Sequence, residues 1–135
     1  MKVVVHVDGG ARGNPGPAAA AAVVSAAADG TVLDEATEFL GKTTNNVAEY
    51  RGLLLGLARA RALGASEVDV VNDSELVAKQ VAGEYKVKHP VMRELHAAAL
   101  AALAGFDAWS VRSVPRSRNQ DADALVNQAL DAARE

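Results

Sequence analysis

The apolar pattern of this chain changes at about residue 45, beyond which helical spacing dominates with two further strand-like runs between the helices, and that change constrains the class of fold. Before it, apolar residues come in short runs of β-branched or small side chains separated by turn signals; after it they recur at helical spacing. Lys2 to Asp8 is rich in β-branched valine and reads as a strand buried in a sheet. Gly9 to Pro17 is too rich in Gly and Pro for regular structure. Ala18 to Ala26 has the composition of a helix. It lies, however, between two turn signals, the second being Asp29-Gly30, so we read it as a strand forming a hairpin with Thr31 to Gly41. Small side chains there would let another element lie close against the sheet.

From Asn45 a helix is expected, with Leu53, Leu57 and Ala60 following Glu49 at i+4, i+8 and i+11 and Gly64 as its stop. Glu67 to Asn72 reads as a second buried strand, and Ser74 opens a short helix to Ala82. Gly83 to His89 is a polar connector, and Pro90 suits the first turn of a helix to Ala104. Ala108 to Val114 alternates as a strand. Asn119 or Asp121 can cap a last helix whose apolar stripe is Ala122, Val126, Ala129, Leu130 and Ala133. The order is βββαβααβα, an α/β fold, and residues 1–135 are expected to form a single domain.

Half the residues are hydrophobic, which excludes a disordered chain, and no apolar run approaches a membrane span. Cysteine is absent, so disulfides and thiolate metal sites are excluded and a cytoplasmic location is expected. The formal net charge of −3 argues at first against a polyanionic partner. Four of the acids change that reading. Asp8 closes the first strand, Asp73 the fourth, and Glu49 and Asp123 lie near the starts of two helices. In open α/β sheets, ligands gather at the carboxyl ends of strands. Helix N-termini favour anions there. Gathered in one place, four carboxylates would repel one another unless divalent cations neutralised them. Mg²⁺ selects such hard oxygen ligands. Setting these four acids aside reverses the sign of the net charge.

At this point the residues resemble a known family. Asp8-Gly9-Gly10 followed by Gly13-Asn14-Pro15-Gly16-Pro17 is similar to the opening motif of type 1 ribonuclease H. Thr43-Thr44-Asn45-Asn46 with Glu49 resembles the second motif, Asn72-Asp73-Ser74 the third, and Val114-Pro115-Arg116 through Asn119 to Asp123-Ala124-Leu125 the fourth. The resemblance runs the length of the chain. It is greatest to the short bacterial and archaeal form, to judge by Gly83 to Lys88, and extends to actinobacterial proteins in which such a domain precedes a phosphatase-like C-terminal part.

The resemblance implies a ribonuclease H-like fold, with a five-stranded mixed sheet flanked by helices. It also implies hydrolysis of the RNA strand of an RNA–DNA hybrid by a two-metal mechanism that leaves 5′-phosphate and 3′-hydroxyl ends. Two Mg²⁺ ions, with Mn²⁺ as a substitute, would lie about 4 Å apart. Asp8 would bridge them, Glu49 and Asp73 would hold the second ion, and Asp123 would complete the first. Many members have a histidine before the last aspartate. Here that loop carries arginines, and Arg116, with Arg118 second, is the candidate for the phosphate. Substrate contacts are implied for Gly9, Gly10, Gly13, Asn14, Thr44, Asn45, Asn46, Ser74, Glu75 and Asn119. Glu75 departs from a frequent glutamine and can accept but not donate a hydrogen bond from a 2′-hydroxyl. Tyr85, Lys86 and Lys88 would stand in for a longer basic protrusion. A monomer with no membrane association is expected.

Singly, each of these residues has a plainer reading: Asp73 as a turn former, Glu49 as a solvated helix acid, Asp123 as a first-turn acid, Asn45 as a cap. Trp109 and His6 are expected in the core. Four motifs in register favour the nuclease over two rivals, a catalytically inert hybrid-binding module and an integrase-like DNA nuclease.

Overall fold

Five strands form one sheet in the order β3-β2-β1-β4-β5, built from β1 (Lys2–Ala11), β2 (Gly16–Ala26), β3 (Val32–Thr43), β4 (Glu67–Asn72) and β5 (Ala108–Ser113). The structure, a computed structural model, describes residues 1–134. β1, β2 and β3 pair antiparallel, whereas β4 and β5 join β1 in parallel, so the sheet is mixed as expected. Four helices flank it: α1 (Asn45–Ala62), α2 (Glu75–Val81), α3 (Pro90–Ala104) and α4 (Gln120–Arg134), the last preceded by a single 3₁₀ turn at Arg116–Arg118.

The helices divide unequally between the two faces. Val3, Val5 and Val7 of β1, Val68 and Val70 of β4, and Ala22 and Val24 of β2 point to one side. There they meet Leu53 and Leu57 of α1, Val77 and Val81 of α2, and Leu103 of α3. On the other side Ala19 and Ala21 meet Val126 and Leu130 of α4. Both faces of β2 are therefore covered, and Ala18 to Ala22 are fully buried. Alanine fits because two helices approach the same strand from opposite sides. Burial between packed layers overrides the intrinsic helix preference of an alanine run.

α1 lies on β1 with main chain against main chain. A Cβ on Gly52 would stand 2.5 Å from the Asp8 carbonyl oxygen, and one on Gly9 would overlap the Ala48 carbonyl. The start of the helix is fixed by Thr44, whose hydroxyl accepts from the Val47 N–H at 3.3 Å. Further along, the buried Tyr50 hydroxyl donates to Gln80 Oε1 at 2.7 Å, and a ring nitrogen of His96 lies 3.0 Å from the Gln80 carbonyl. That bracket ties α1, α2 and α3 together.

Three features depart from the sequence expectation. β1 continues past Asp8 to Ala11, because Gly9, Gly10 and Ala11 pair with Ala20, Ala19 and Ala18. Trp109 is exposed on the edge strand β5 rather than in the core, where Phe106 and Val111 of the same stretch pack instead. His6 is half-buried rather than enclosed, beside Arg118 and Asp121.

The close approach of α1 gives the first prediction. Replacing Gly52 with Ala would gain about 1 kcal/mol of helix propensity. Overlap with a main-chain oxygen outweighs that gain, because overpacking costs about 1–3 kcal/mol and backbone cannot swing aside. Gly52→Ala is therefore expected to lower stability in urea unfolding. A variant as stable as the parent would show that α1 does not rest on β1 in this way.

Candidate active site

The parallel register of the sheet brings two of the four acids side by side. His6 of β1 is level with Val71 of β4, so two residues further along each strand stand Asp8 and Asp73. Asp8 is buried, and the Asp73 side chain retains 10% of its exposure. The approach of α1 to β1 places Glu49 over the same strand end. Asp123 comes from the first turn of α4, whose position is set by Asn119: its Nδ2 donates to the Val7 carbonyl at 2.8 Å.

The acids feel one another. Burial first, then the Asp73 carboxylate and more weakly that of Asp123, push the Asp8 carboxyl up to about 8, against the pull of the Gly9 N–H. Glu49 is raised as well, chiefly by burial and also by Asp73, while the Ser74 hydroxyl and Arg116 oppose the shift. Such displaced carboxyls mark a place where negative charge has been concentrated at a cost. Arg116 stands against it, its Nε 3.6 Å from Asp73 Oδ2 and its side chain mostly exposed. Arg118 lies elsewhere, in a shallow hollow beside His6 and Asp121.

Asp8, Glu49, Arg116 and Asp123 line one cleft of about 310 Å³ together with Gly9, Gly10 and Asn45. Among the described residues, no three acidic or histidine side chains by themselves enclose a metal ion. The donor set nevertheless fits hard divalent cations. It consists of carboxylate oxygens with raised affinity for positive charge, grouped at one strand end and open to a cleft.

The remaining expected residues divide by what holds them. Asn45 Oδ1 accepts from the Ala11 N–H at 2.8 Å, and the Asn45 N–H donates to Asn14 Oδ1 at 3.1 Å, so the first two motifs brace each other. Gly13 takes a positive φ of 100° in the exposed turn between β1 and β2. Thr44 caps α1, and Asn46 is exposed beside it. Ser74 is buried, capping α2 by accepting from Val77 N–H at 3.2 Å. Asn119, expected at the substrate, is instead 1% exposed and part of the scaffold. Glu75 is exposed and paired at 2.7 Å with Lys79 one turn along α2, and it is not among the residues lining the cleft. Tyr85, Lys86 and Lys88 border a separate hollow of about 680 Å³ with Arg93 and His96.

Sequence reasoning missed Arg12 and Asn127, both of which line the cleft. The signal for Asn127 was present, since Asp123, Asn127 and Asp131 recur at i, i+4 and i+8.

Comparison with known proteins agrees with this geometry. A family described as "Reverse transcriptase-like" matches residues 6–129. The "Bifunctional protein Rv2228c" of Mycobacterium tuberculosis is 52% identical over 133 residues, covering 98% of this chain and 36% of that protein. The chain thus spans about a third of the length of the mycobacterial relatives it matches. Among solved structures, RNase H1 of the halophilic archaeon Halobacterium salinarum superposes with a TM-score of 0.95 at 41% identity, covering 98% of this chain and 99% of that one. LC11-RNase H1 in complex with an RNA/DNA hybrid gives a TM-score of 0.93 at 38% identity, covering 98% and 99%. Four motifs in register on one mixed sheet, matched over nearly the whole length at these identities, make the chain a member of the type 1 ribonuclease H family.

Proposed function

We propose that the chain is a divalent-metal-dependent endonuclease that hydrolyses the RNA strand of RNA–DNA hybrids, leaving 5′-phosphate and 3′-hydroxyl ends. The observation that carries this reading is the convergence of Asp8, Asp73, Asp123 and Glu49 at one strand end, with Asp8 pushed up to about 8. Relatives named ribonuclease HI, and the hybrid seen on LC11-RNase H1, support the substrate.

Asp8, Glu49, Asp73 and Asp123 would hold two Mg²⁺ or Mn²⁺ ions. Bound there, the ions would supply an activated water for attack on the phosphorus and a Lewis acid for the departing 3′ oxygen. The chain's own groups do the rest. Asp8, buried in β1, and Asp73, largely covered just past the end of β4, present their carboxylates from neighbouring strands, so little side-chain freedom is lost on binding. The Arg116 guanidinium stays protonated and cannot serve as a base, but its N–H groups can hold a phosphate against the cleft. The Asn45 amide oxygen is committed to Ala11, which leaves its NH₂ to donate to a 2′-hydroxyl. A-like duplexes display those hydroxyls in a shallow minor groove. Gly10 admits the sugar edge close to main chain, and the exposed Asn14 and Asn46 flank the same entrance. Lys86, Lys88 and Tyr85 supply charge and a stacking ring for the DNA strand. Our reading is of a cytoplasmic monomer, a form of the domain that longer relatives fuse to a second part. Among the described residues, no helix is long and apolar enough to cross a membrane.

A labelled RNA–DNA hybrid should be cut in its RNA strand with Mg²⁺ or Mn²⁺ and left intact in chelator, with single-stranded RNA and duplex DNA uncut. Asp73→Asn is expected to lower the rate on the order of a thousandfold or more while the protein stays folded. Even groups outside a metal's own ligands are typically worth about 10–100-fold. Hybrid binding without cleavage in either metal would replace the enzyme by an inert binding module.

Stability against pH tests the crowding of carboxylates. The folded-state value for Asp8 lies above its ordinary 3.8, so the fold holds a proton that the unfolded chain releases. The contribution is fully present below 3.8 and is lost as pH rises towards about 8, and Glu49 acts in the same direction. Thermal unfolding of the metal-free protein should therefore occur at lower temperature as pH rises through that window. Saturating Mg²⁺ should flatten the decline, and Asp8→Asn should abolish most of it and raise the metal-free midpoint. A pH-independent midpoint in chelator would contradict the repulsion.

A further inference from the structure

The cleft does not end at the carboxylates. Beyond Asp8 it continues along the last residues of β1 to Ala11 and Arg12, with Asn127 and Leu130 of α4 as its far wall. Four residues of strand separate Asp8 from Arg12, roughly 13 Å at about 3.3 Å per residue. The far end carries a cation rather than an acid cluster.

The way Arg12 is held is informative. Its Nη2 lies 2.7 Å from Asp131 Oδ1 and 3.5 Å from both the main-chain and side-chain oxygens of Asn127. Among the described residues, Nε and Nη1 have no hydrogen-bond partner in the protein, and the side chain keeps 35% of its exposure. A guanidinium serving only to tie the turn to α4 would turn a two-nitrogen edge to its carboxylate, the geometry that best matches carboxylate oxygens. Here a single nitrogen makes every contact. The same cleft is lined by Val126 and Leu130, neither of which can compete for a hydrogen bond.

We propose that Arg12, oriented by Asp131 and Asn127, forms a second phosphate subsite that takes a non-scissile phosphate of the strand lying in the cleft. Resting on the nuclease reading, the assignment makes Arg12 a register-setting residue: it fixes how the strand lies before the bond at Asp8 is reached. Asp131 lends the guanidinium direction, and the free N–H groups supply the bidentate contact. The contact carries no base information, because every nucleotide offers the same phosphate.

Hybrid binding tests it directly. Affinity of a labelled hybrid is measured by fluorescence anisotropy in Ca²⁺, which takes the same oxygen ligands, across a salt series. Arg12→Ala should bind about tenfold more weakly, the worth of a charge-assisted hydrogen bond. The slope of log affinity against log salt should become shallower by about 0.7–0.9, the contribution of one phosphate contact. A neutral methylphosphonate walked along each strand should reveal one non-scissile position that weakens the parent but not Arg12→Ala. Arg12→Lys keeps the charge and loses the fork, and should fall between the two. Unchanged affinity and salt slope in Arg12→Ala, or equal sensitivity of both proteins at every position, would reduce Arg12 to a tie between turn and helix. Cleavage in Mg²⁺ is scored separately. An uncut hybrid with the Arg12 effects intact overturns the nuclease reading and keeps the subsite, whereas cleavage without them overturns the subsite alone.

Discussion

At Gly9 and Gly52, where α1 meets the end of β1, main chain rests on main chain with no side chain between, and the candidate active site depends on that contact. Glycine at 9 and at 52 lets two main chains meet, so Glu49 is set relative to Asp8 by backbone rather than by rotatable side chains. The parallel register does the same for Asp8 and Asp73, since neighbouring strands cannot slip without turning their side chains to the other face. Three of the four acids are thus held by the stiffest parts of the molecule. Such rigidity is what a centre of like charges requires, because a looser scaffold would relax by letting the carboxylates separate.

The electrostatic penalty is confined to a small region. Val3, Val5, Val7, Val68 and Val70 run along the same two strands and are almost wholly buried. Apolar burial at roughly 25 cal/mol per Å² is spread across the whole sheet, whereas repulsion acts among a few side chains. The core can therefore tolerate a displaced Asp8 carboxyl. The Tyr50–Gln80–His96 bracket adds a polar tie among three helices on the same side of the sheet.

Much of this was legible in the sequence, and the reasons differ from element to element. β4 and α3 were found to the residue, because β-branched composition in one and a proline at the first turn in the other are local signals. The alanine strand was legible only from its flanking turns, since the helices that bury it come from distant segments. The four acids stood out through their motifs. The membership of the cleft was less accessible. Asn119 sits in the fourth motif yet serves the scaffold, for its amide reaches a carbonyl 112 residues away. Arg12 lies in a turn whose spacing says nothing of Asp131, and the two meet only after α4 has folded over β2. Trp109 misled because residue type predicts burial only on average, and an edge strand leaves part of its surface in solvent.

Helix α4 is fastened to the sheet by a few contacts: Val126 and Leu130 on two alanines, the Asn119 amide on Val7, and Arg12 on Asp131. α1, by contrast, shares the large cluster on the opposite face. α4 thus rests on the smaller of the two apolar clusters, and Asp123 reaches the site from its first turn. Because the same helix carries Asp123 and the partners of Arg12, the two ends of the cleft share one wall, and the spacing between them is set by a single helix.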